Sequence, residues 1–134
     1  MKISISKLNS SDLDEVKKLL IESFSINYKK KINLNALSDS NSIFIVAKDG
    51  QAIAGYASLH LLNKLNRKTG LIEDVAVHKK YRGLGIGKLI VNKLIELSKE
   101  NNCDKIILNS NEEYLNFYKK IGFNKEGFQM VIKL

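Results

Sequence analysis

Hydrophobic residues recur along the chain with two different periods, which divide it into alternating strands and helices. Apolar alternation, or a short apolar run between turn residues, predicts strands at Lys2–Ser6, Ser42–Lys48, Ala52–Leu62, Leu71–Val77 and Asp104–Asn109. Spacings of three and four predict helices that carry Leu13 to Phe24, that span about Gly85 to Asn101, and that align Tyr114, Phe117, Tyr118 and Ile121. A short helix is expected around Leu34–Leu37, and one or two final strands over Phe123–Leu134 with a bend at Gly127. This order predicts an α+β fold, with a mixed central sheet and helices on both faces.

Length and composition indicate one ordinary globular domain. The 134 residues suffice for a single core, and 44% apolar with 27% charged residues is typical of a globular protein. No apolar run is long enough for a transmembrane helix, and the N-terminus lacks the apolar segment of a secretory signal. The single cysteine, Cys103, excludes an internal disulfide and suits a reducing compartment. We therefore expect a cytoplasmic protein without a membrane partner.

A net charge of +8 raises the question of an anionic partner. The lysines are spread along the whole chain, and Arg67 and Arg82 are the only arginines, so the arginine and aromatic pattern of many nucleic-acid-binding proteins is missing. No nucleic-acid partner is expected; a nucleic-acid-binding protein is the alternative, which steep salt-dependent binding would reveal. His60 and His78 are isolated in the sequence, so no metal site is expected either.

The stretch Leu71–Ile90 combines a strand, a basic glycine-rich turn and the start of a helix. Loop glycines let the backbone approach a phosphate closely, and a helix N-terminus supplies unpaired N–H donors and partial positive charge. Gly83, Gly85 and Gly87 are spaced two apart, which fits neither the dinucleotide fingerprint nor the Walker loop. The pattern therefore predicts a phosphate site of another kind.

Arg82-Gly83-Leu84-Gly85-Ile86-Gly87 resembles R/Q-x-x-G-x-G/A, the coenzyme A pyrophosphate loop of the GNAT superfamily of N-acetyltransferases. Further along, Asn116–Phe123 (NFYKKIGF) resembles the "FY.K.GF" segment of the same family. The order of predicted elements also matches, so the resemblance covers most of the chain. It implies a single N-acetyltransferase domain over residues 1–134 with the GNAT fold, acetyl-CoA as co-substrate and no metal.

Acetyl transfer to an amine needs an uncharged amine, a stabilised oxyanion and a proton for the leaving thiolate. The resemblance implies that Tyr118 donates this proton and that Glu73 accepts the amine proton through water; a core aromatic and a salt-bridged carboxylate are the structural alternatives. On a regular strand Glu73 and Asp74 would point to opposite faces. Cofactor contacts are implied for Val75, Ala76, Val77, Arg82, Gly83, Leu84, Gly85, Ile86, Gly87, Lys88, Asn109, Asn111 and Tyr118. For Asn111 a helix N-cap is the alternative role.

Within the family, the segments IEDVAV, CDKIIL and GFNKEGFQMVIKL resemble glucosamine-6-phosphate N-acetyltransferases. This implies an amino sugar phosphate bound by Glu73, Asp74 and Lys133, and a homodimer that pairs C-terminal strands. Two positions depart from those enzymes: Asn109 replaces an aspartate and Tyr114 an asparagine. The acceptor is therefore expected to be an amine of a small molecule or a peptide, and a non-catalytic acetyl-CoA-binding module is the alternative.

The polar segment Ser25–Ser42 is weakly patterned. In a transferase it would form a lid on the acceptor side, and a structural loop is the other interpretation.

Overall fold

The computed structural model describes residues 1–24 and 32–134, and its elements follow the predicted order. In this part of the chain the strands are β1 (Ile3–Lys7), β2 (Ser42–Asp49), β3 (Ala52–Asn63), β4 (Lys68–Val77) and β5 (Lys105–Leu108). The α-helices are α1 (Leu13–Phe24), α2 (Ile86–Glu100) and α3 (Leu115–Ile121). Short 3-10 helices cover Ser10–Asp12, Leu34–Ser38, Lys79–Tyr81 and Glu112–Tyr114. Residues 25–31, part of the segment in which a lid was predicted, lie outside the described residues.

The strands form one mixed sheet in the order β1-β2-β3-β4-β5. The first three neighbouring pairs are antiparallel, whereas β4 and β5 are parallel, as the intervening helix α2 requires. Pairing between β4 and β5 ends where Ile72 meets Leu108, although β4 continues to Val77. The last five residues of β4 therefore have no β5 partner.

The hairpin of β3 and β4 is longer than the sequence predicted. Asn63 pairs with Lys68, and the N–H of Lys64 donates to the carbonyl of Arg67 over 2.9 Å. Half of Asn63–Gly70, the stretch between two predicted strands, is therefore strand, and the other half is the turn. The prediction was wrong here because the buried residues of this part of β4 include Thr69 and Gly70, which carry little hydrophobic signal.

Helices cover both faces of the sheet, as predicted. Helix α2 buries Ile86, Ile90, Val91 and Leu94 against one face. On the other face, Val16 and Leu19 of α1 pack against a second cluster that includes Val46, Tyr56 and Ala76. These two cores fix β4 and the start of α2 relative to each other. Over residues 1–24 and 32–134, no helix has both the length and the apolar character needed to cross a bilayer.

The C-terminal segment Phe123–Leu134 forms no strand, contrary to the sequence prediction. Its alternating apolar side chains face solvent: Phe128 is 90% exposed and Met130 93%. A cavity of about 1100 Å³ lies between β5 and residues 121–129. A strand needs a hydrogen-bonding neighbour, and across this gap the segment has none from its own sheet.

Candidate active site

A cleft opens where β4 and β5 part. It has a volume of about 260 Å³ and brings together residues from four parts of the chain. The lining consists of Phe24, Ile72, Glu73, Asp74, Val75, Leu108, Asn109, Ser110, Asn111, Tyr114, Tyr118 and Gln129. The divergence of the two strands makes this space, because β5 stops pairing before β4 ends. Most of the predicted polar site residues therefore meet at one place.

Glu73 and Asp74 both line the cleft, so the prediction that they point to opposite faces was wrong. The reason is a β-bulge: Ser58 pairs with Glu73 but Tyr56 with Ala76, and Asp74 has a positive φ of 55°. The left-handed residue breaks the alternation of the strand, so that both residues border the same cleft. Such a conformation is strained for a non-glycine residue, although aspartate tolerates it better than most.

The two cleft carboxyls hold their protons more strongly than ordinary ones. Burial raises the pKa of Glu73, and the neighbouring Asp74 raises it further, whereas the His60 charge acts in the opposite direction. Burial also raises the pKa of Asp74, again opposed by His60. Asp74 is solvent-exposed, yet many protein atoms of the cleft wall surround it. These atoms displace water from the carboxylate, and this desolvation raises its pKa. A carboxylate with a raised pKa is better suited to accept a proton than an ordinary one.

Tyr118 reaches the cleft from α3 while its ring packs on the core. The ring lies edge-on to Phe117, with centroids 4.9 Å apart, and edge-on to Phe123 at 5.9 Å. Burial raises the pKa of the Tyr118 hydroxyl, and Tyr114 raises it further. The phenol is therefore neutral over the physiological range and can donate its proton. The predicted core role and the predicted site position coexist in this side chain.

The glycine-rich loop forms the N-terminus of α2. Gly83 and Gly85 have φ values of 76° and 81°, in the left-handed region that other residues rarely adopt. Gly85 occupies the N-cap position, and its carbonyl accepts the N–H of Leu89 over 3.2 Å. The N–H groups of the first helical turn, from Ile86 onward, have no intrahelical acceptor. This arrangement fits an anionic group such as a pyrophosphate.

Side chains of the same loop divide into those that shape it and those that lie at its surface. The Nε of Arg82 donates to the carbonyl of Val77 over 3.2 Å and so ties the loop to the end of β4. Ile86 is 1% exposed and faces the core, so only its backbone is available to a ligand. Leu84 and Lys88 are exposed.

At the end of β4 it is the backbone that faces the opening. Ala76 is buried in the core on the α1 side, and the Val75 and Val77 side chains pack against the core on the α2 side. On their other edge, Ala76 and Val77 pair with Tyr56 and Gly55 of β3. Beyond Ile72, the edge toward β5 is therefore free to pair with an extended ligand.

Three amides lie on the β5 side of the cleft. Asn109, just after β5, donates from Nδ2 to Oε1 of Gln129. Asn111 stands at the N-cap position of a short 3-10 helix, but its side chain makes no capping hydrogen bond, so the cap alternative is not realised. Sequence reasoning missed Gln129, because its signal was only a polar position in a predicted terminal strand. Lys133, predicted to bind the acceptor, lies in the exposed C-terminal segment and lines neither cavity.

Comparison with known proteins places this geometry in a family. The model of the acetyltransferase (GNAT) family matches residues 13–123. A glucosamine 6-phosphate N-acetyltransferase of Trypanosoma brucei brucei is 44% identical over 85 residues, which are 61% of this chain and 58% of that protein. A probable glucosamine 6-phosphate N-acetyltransferase of Oryza sativa subsp. japonica is 37% identical over 107 residues, 75% of this chain and 64% of that protein. The chain thus spans less than two thirds of the length of both relatives.

The whole fold also matches a solved structure. The crystal structure of glucosamine-6-phosphate N-acetyltransferase from Arabidopsis thaliana superposes with a TM-score of 0.90 and 27% identity, over 99% of both chains. The predicted fold and the predicted family are therefore both confirmed: the chain belongs to the acetyltransferase (GNAT) family.

Proposed function

We propose that residues 1–134 form one N-acetyltransferase domain, which transfers the acetyl group of acetyl-CoA to the amine of an amino sugar phosphate. One observation carries the proposal. Two carboxylates with raised pKa values and a neutral tyrosine share a cleft beside the free edge of β4. The names of the similar enzymes from Trypanosoma, rice and Arabidopsis support the choice of acceptor.

In this proposal acetyl-CoA lies along β4 and ends at the start of α2. The backbone of Val75, Ala76 and Val77 pairs with the pantetheine arm as an added strand would. N–H groups between Gly83 and Lys88 hold the pyrophosphate, where the partial positive charge of the helix N-terminus favours an anion. Asn109 and Asn111 complete the cofactor side from across the cleft. The thioester then lies close to Tyr118.

The residues of the cleft supply what the transfer requires. An alkylammonium with a pKa of about 10 is neutral in only about one part in a thousand at pH 7, a penalty of roughly 4 kcal/mol. Glu73 offsets it by accepting the amine proton through water. As the new N–C bond forms, a backbone N–H near Val75 stabilises the oxyanion. When the C–S bond breaks, Tyr118 gives its proton to the thiolate.

A small acceptor fits this cleft better than a peptide. The volume of about 260 Å³ is close to the lower end of small-molecule sites. The carboxylates of Glu73 and Asp74 attract an ammonium, and the amides of Asn109 and Gln129 can bond sugar hydroxyls. A phosphate would need a cation, and Lys133 becomes available for this only if the C-terminal segment changes its surroundings.

We also propose that the protein is a homodimer held by the C-terminal segment. Phe128, Met130 and Ile132 alternate along it, and all are at least 87% exposed. An exposed row of apolar side chains of this kind is unfavourable in water, and the open edge of β5 has unpaired backbone groups. A second copy of this segment, inserted into the cavity beside β5, would satisfy both surfaces at once. It would also move Lys133 to a new position near the cleft.

The cysteine content bears on the cellular location. A single cysteine suits a reducing compartment, where acetyl-CoA is also available, so we propose a cytoplasmic enzyme. The non-catalytic alternative is less favoured, because binding alone would not need a neutral tyrosine opposite two carboxyls.

Two measurements test the function in sequence. Calorimetry with acetyl-CoA tests binding, and release of free thiol is then followed with glucosamine 6-phosphate, glucosamine and a lysine peptide. We expect kcat/KM for the phosphorylated sugar to exceed that for glucosamine by about tenfold or more, since a hydrogen bond to a charged group contributes about 1.5–3 kcal/mol. Binding of acetyl-CoA without thiol release from any amine would support the non-catalytic module instead.

A further inference from the structure

His60, on β3, lies within a line of hydrogen bonds that the sequence did not reveal. Its Nδ1 is 3.0 Å from the hydroxyl of Ser42, and its Nε2 is 2.9 Å from the hydroxyl of Ser58. The Ser42 hydroxyl also donates to Oδ2 of Asp39 over 2.8 Å. The Ser58 hydroxyl donates to the backbone carbonyl of Glu73 over 3.3 Å. The line therefore runs from a surface carboxylate to the residue proposed as the base.

Counting protons assigns the state of the ring. Each serine hydroxyl has one hydrogen, and these hydrogens go to Asp39 and to the Glu73 carbonyl. When both of these bonds are made, both serine oxygens act as acceptors toward the ring, and both ring nitrogens then carry a hydrogen. A neutral imidazole has only one N–H and would leave one of the four contacts unmade. The imidazolium form alone satisfies the whole line.

The surroundings of His60 are those of a cation. Three carboxylates interact electrostatically with it: Asp39, before β2, and Glu73 and Asp74, both on β4. Ser58 is 1% exposed and directly opposite Glu73 in the β3–β4 register, so its side chain and that of Glu73 share a face. Across the cleft, the titratable side chains of α3 and of the turn before it that line this space are Tyr118 and Tyr114. The His60 ring is nearly perpendicular to that of Phe44, with centroids 5.9 Å apart, and its two nitrogens contact the serines.

We propose that His60 is a positioning residue for acetyl transfer: as an imidazolium it anchors the bulge at Glu73 through Ser58 and keeps the cleft carboxylates ionised. The inference rests on the proposed role of Glu73 as base. Burial disfavours the carboxylate form of Glu73, and the only described charge that offsets this burial in its pKa is that of His60. Without the cation, Glu73 would be protonated over a wider range of pH and unable to accept the amine proton.

The first test is the pH profile of kcat at saturating substrates for His60→Gln, which keeps a polar side chain but removes the charge. We expect the acid limb to move up by about half a pH unit or more, as for charges several ångströms apart at an effective dielectric constant near 20. The rate should fall by about threefold or more on the acid limb, the factor that corresponds to half a pH unit, and by less than about twofold on the plateau above it. The matched control is His78→Gln, whose ring accepts a bond from the N–H of Lys80, and its acid limb should not move.

Ser58→Ala is the second variant, for the case in which His60→Gln fails to fold. It removes the acceptor at Nε2 with a change of one atom, so its acid limb should move in the same direction. A folded variant whose rate falls equally at every pH would show a merely structural role and overturn the proposal. An unchanged profile in both variants would overturn it as well.

The ring itself gives a readout that needs no acceptor. Nitrogen NMR near pH 6 should show a proton on both ring nitrogens of His60, each with slowed solvent exchange, and Ser58→Ala should speed exchange at Nε2. A single protonated nitrogen would overturn the inference whatever the enzyme acetylates. If Glu73→Gln keeps the acid limb while both ring protons are present, the assignment of Glu73 as base has failed instead.

Discussion

Gly87 in the first turn of α2 lies directly against the ring of Phe117 on α3: a β-carbon at Gly87 would be 3.3 Å from Cζ of that ring. The Phe117 ring in turn packs edge-on against Tyr118. The third glycine of the loop is thus needed for the approach of two helices rather than for a turn. Through this contact, the proposed pyrophosphate loop and the proposed acid are held at a fixed separation.

Replacing Tyr118 by phenylalanine should separate catalysis from binding. The ring contacts with Phe117 and Phe123 remain, but the proton for the thiolate is lost. We expect kcat to fall by about tenfold or more, with little change in the Kd of acetyl-CoA measured by calorimetry. Tyr81→Phe is the matched control: it removes a hydrogen bond to Asp49 outside the cleft and should leave kcat within about twofold. Full activity of Tyr118→Phe would contradict the acid role.

Gly85→Ala should weaken cofactor binding as well as the fold. At a φ of 81° a side chain costs about 1–2 kcal/mol, and relief of the strain displaces the N–H groups at the start of α2. We expect the Kd of acetyl-CoA to rise about tenfold. Gly50→Ala is the control, since Gly50 has a φ of 60° in the β2–β3 turn and open space around it. It should lower Tm similarly but leave the Kd unchanged; equal Kd values for both variants would argue against the loop.

The raised pKa of Glu73 has a consequence for stability. A carboxyl whose pKa is higher in the folded than in the unfolded chain stabilises the fold below its ordinary pKa, and that contribution is lost as pH rises through the raised value. Glu73→Gln should therefore unfold at a higher temperature than the parent near pH 7, although it is less active, and the difference should shrink as the pH falls toward about 4.

Asp12 supplies a control of opposite sign for that measurement. Burial raises its pKa, but the Lys48 ammonium at 2.9 Å and the N–H of Asn9 outweigh burial and lower it. Asp12→Asn should therefore lower Tm near pH 7, and the loss should fade as acid protonates the parent. Calorimetric scans of both variants across the same pH series measure whether each substitution raises or lowers Tm. A lower Tm for Glu73→Gln at neutral pH would contradict the raised pKa.

A charge in the C-terminal segment should dissociate the proposed dimer. Phe128→Glu places a carboxylate on the apolar face that a second copy would cover, and burying an unpaired charge is costly. We expect light scattering to give a dimer for the parent and a monomer for the variant. Leu65→Glu, at the exposed turn between β3 and β4, should remain dimeric. A parent that is monomeric at micromolar concentration would rule out this assembly.

Much of the fold could be predicted from the sequence, because its signals are local. Hydrophobic periods located β2 and α2, and the spacing of Gly83 and Gly85 identified the loop. The family prediction, which rested on two short motifs, was confirmed.

The rest depended on contacts between distant parts of the chain. Asp74 turns toward Glu73 through a bulge that no pattern of side chains encodes, and Gln129 reaches the cleft from a segment that was assigned to a strand. His60 seemed isolated because its partners, Ser42 and Ser58, are ordinary polar residues until the sheet brings them together. The strand predicted over Phe123–Leu134 was wrong, because a strand also needs a hydrogen-bonding neighbour, which this sheet does not provide.

The early end of pairing between β4 and β5 also separates side chains that can be replaced at little cost in stability from side chains that the cores need. Side chains that wall the cleft, such as Asn109 and Gln129, are beyond the last paired residues and outside both buried clusters. In the proposed enzyme, substitutions there would exchange one amine acceptor for another at little expense in folding free energy. The proposed cofactor site lies on residues that pack into the core beside α2, so substitutions there would cost more stability. On the proposed function, a new acceptor preference would therefore need changes at only a few positions of the cleft, while the proposed site for the acetyl donor stays the same.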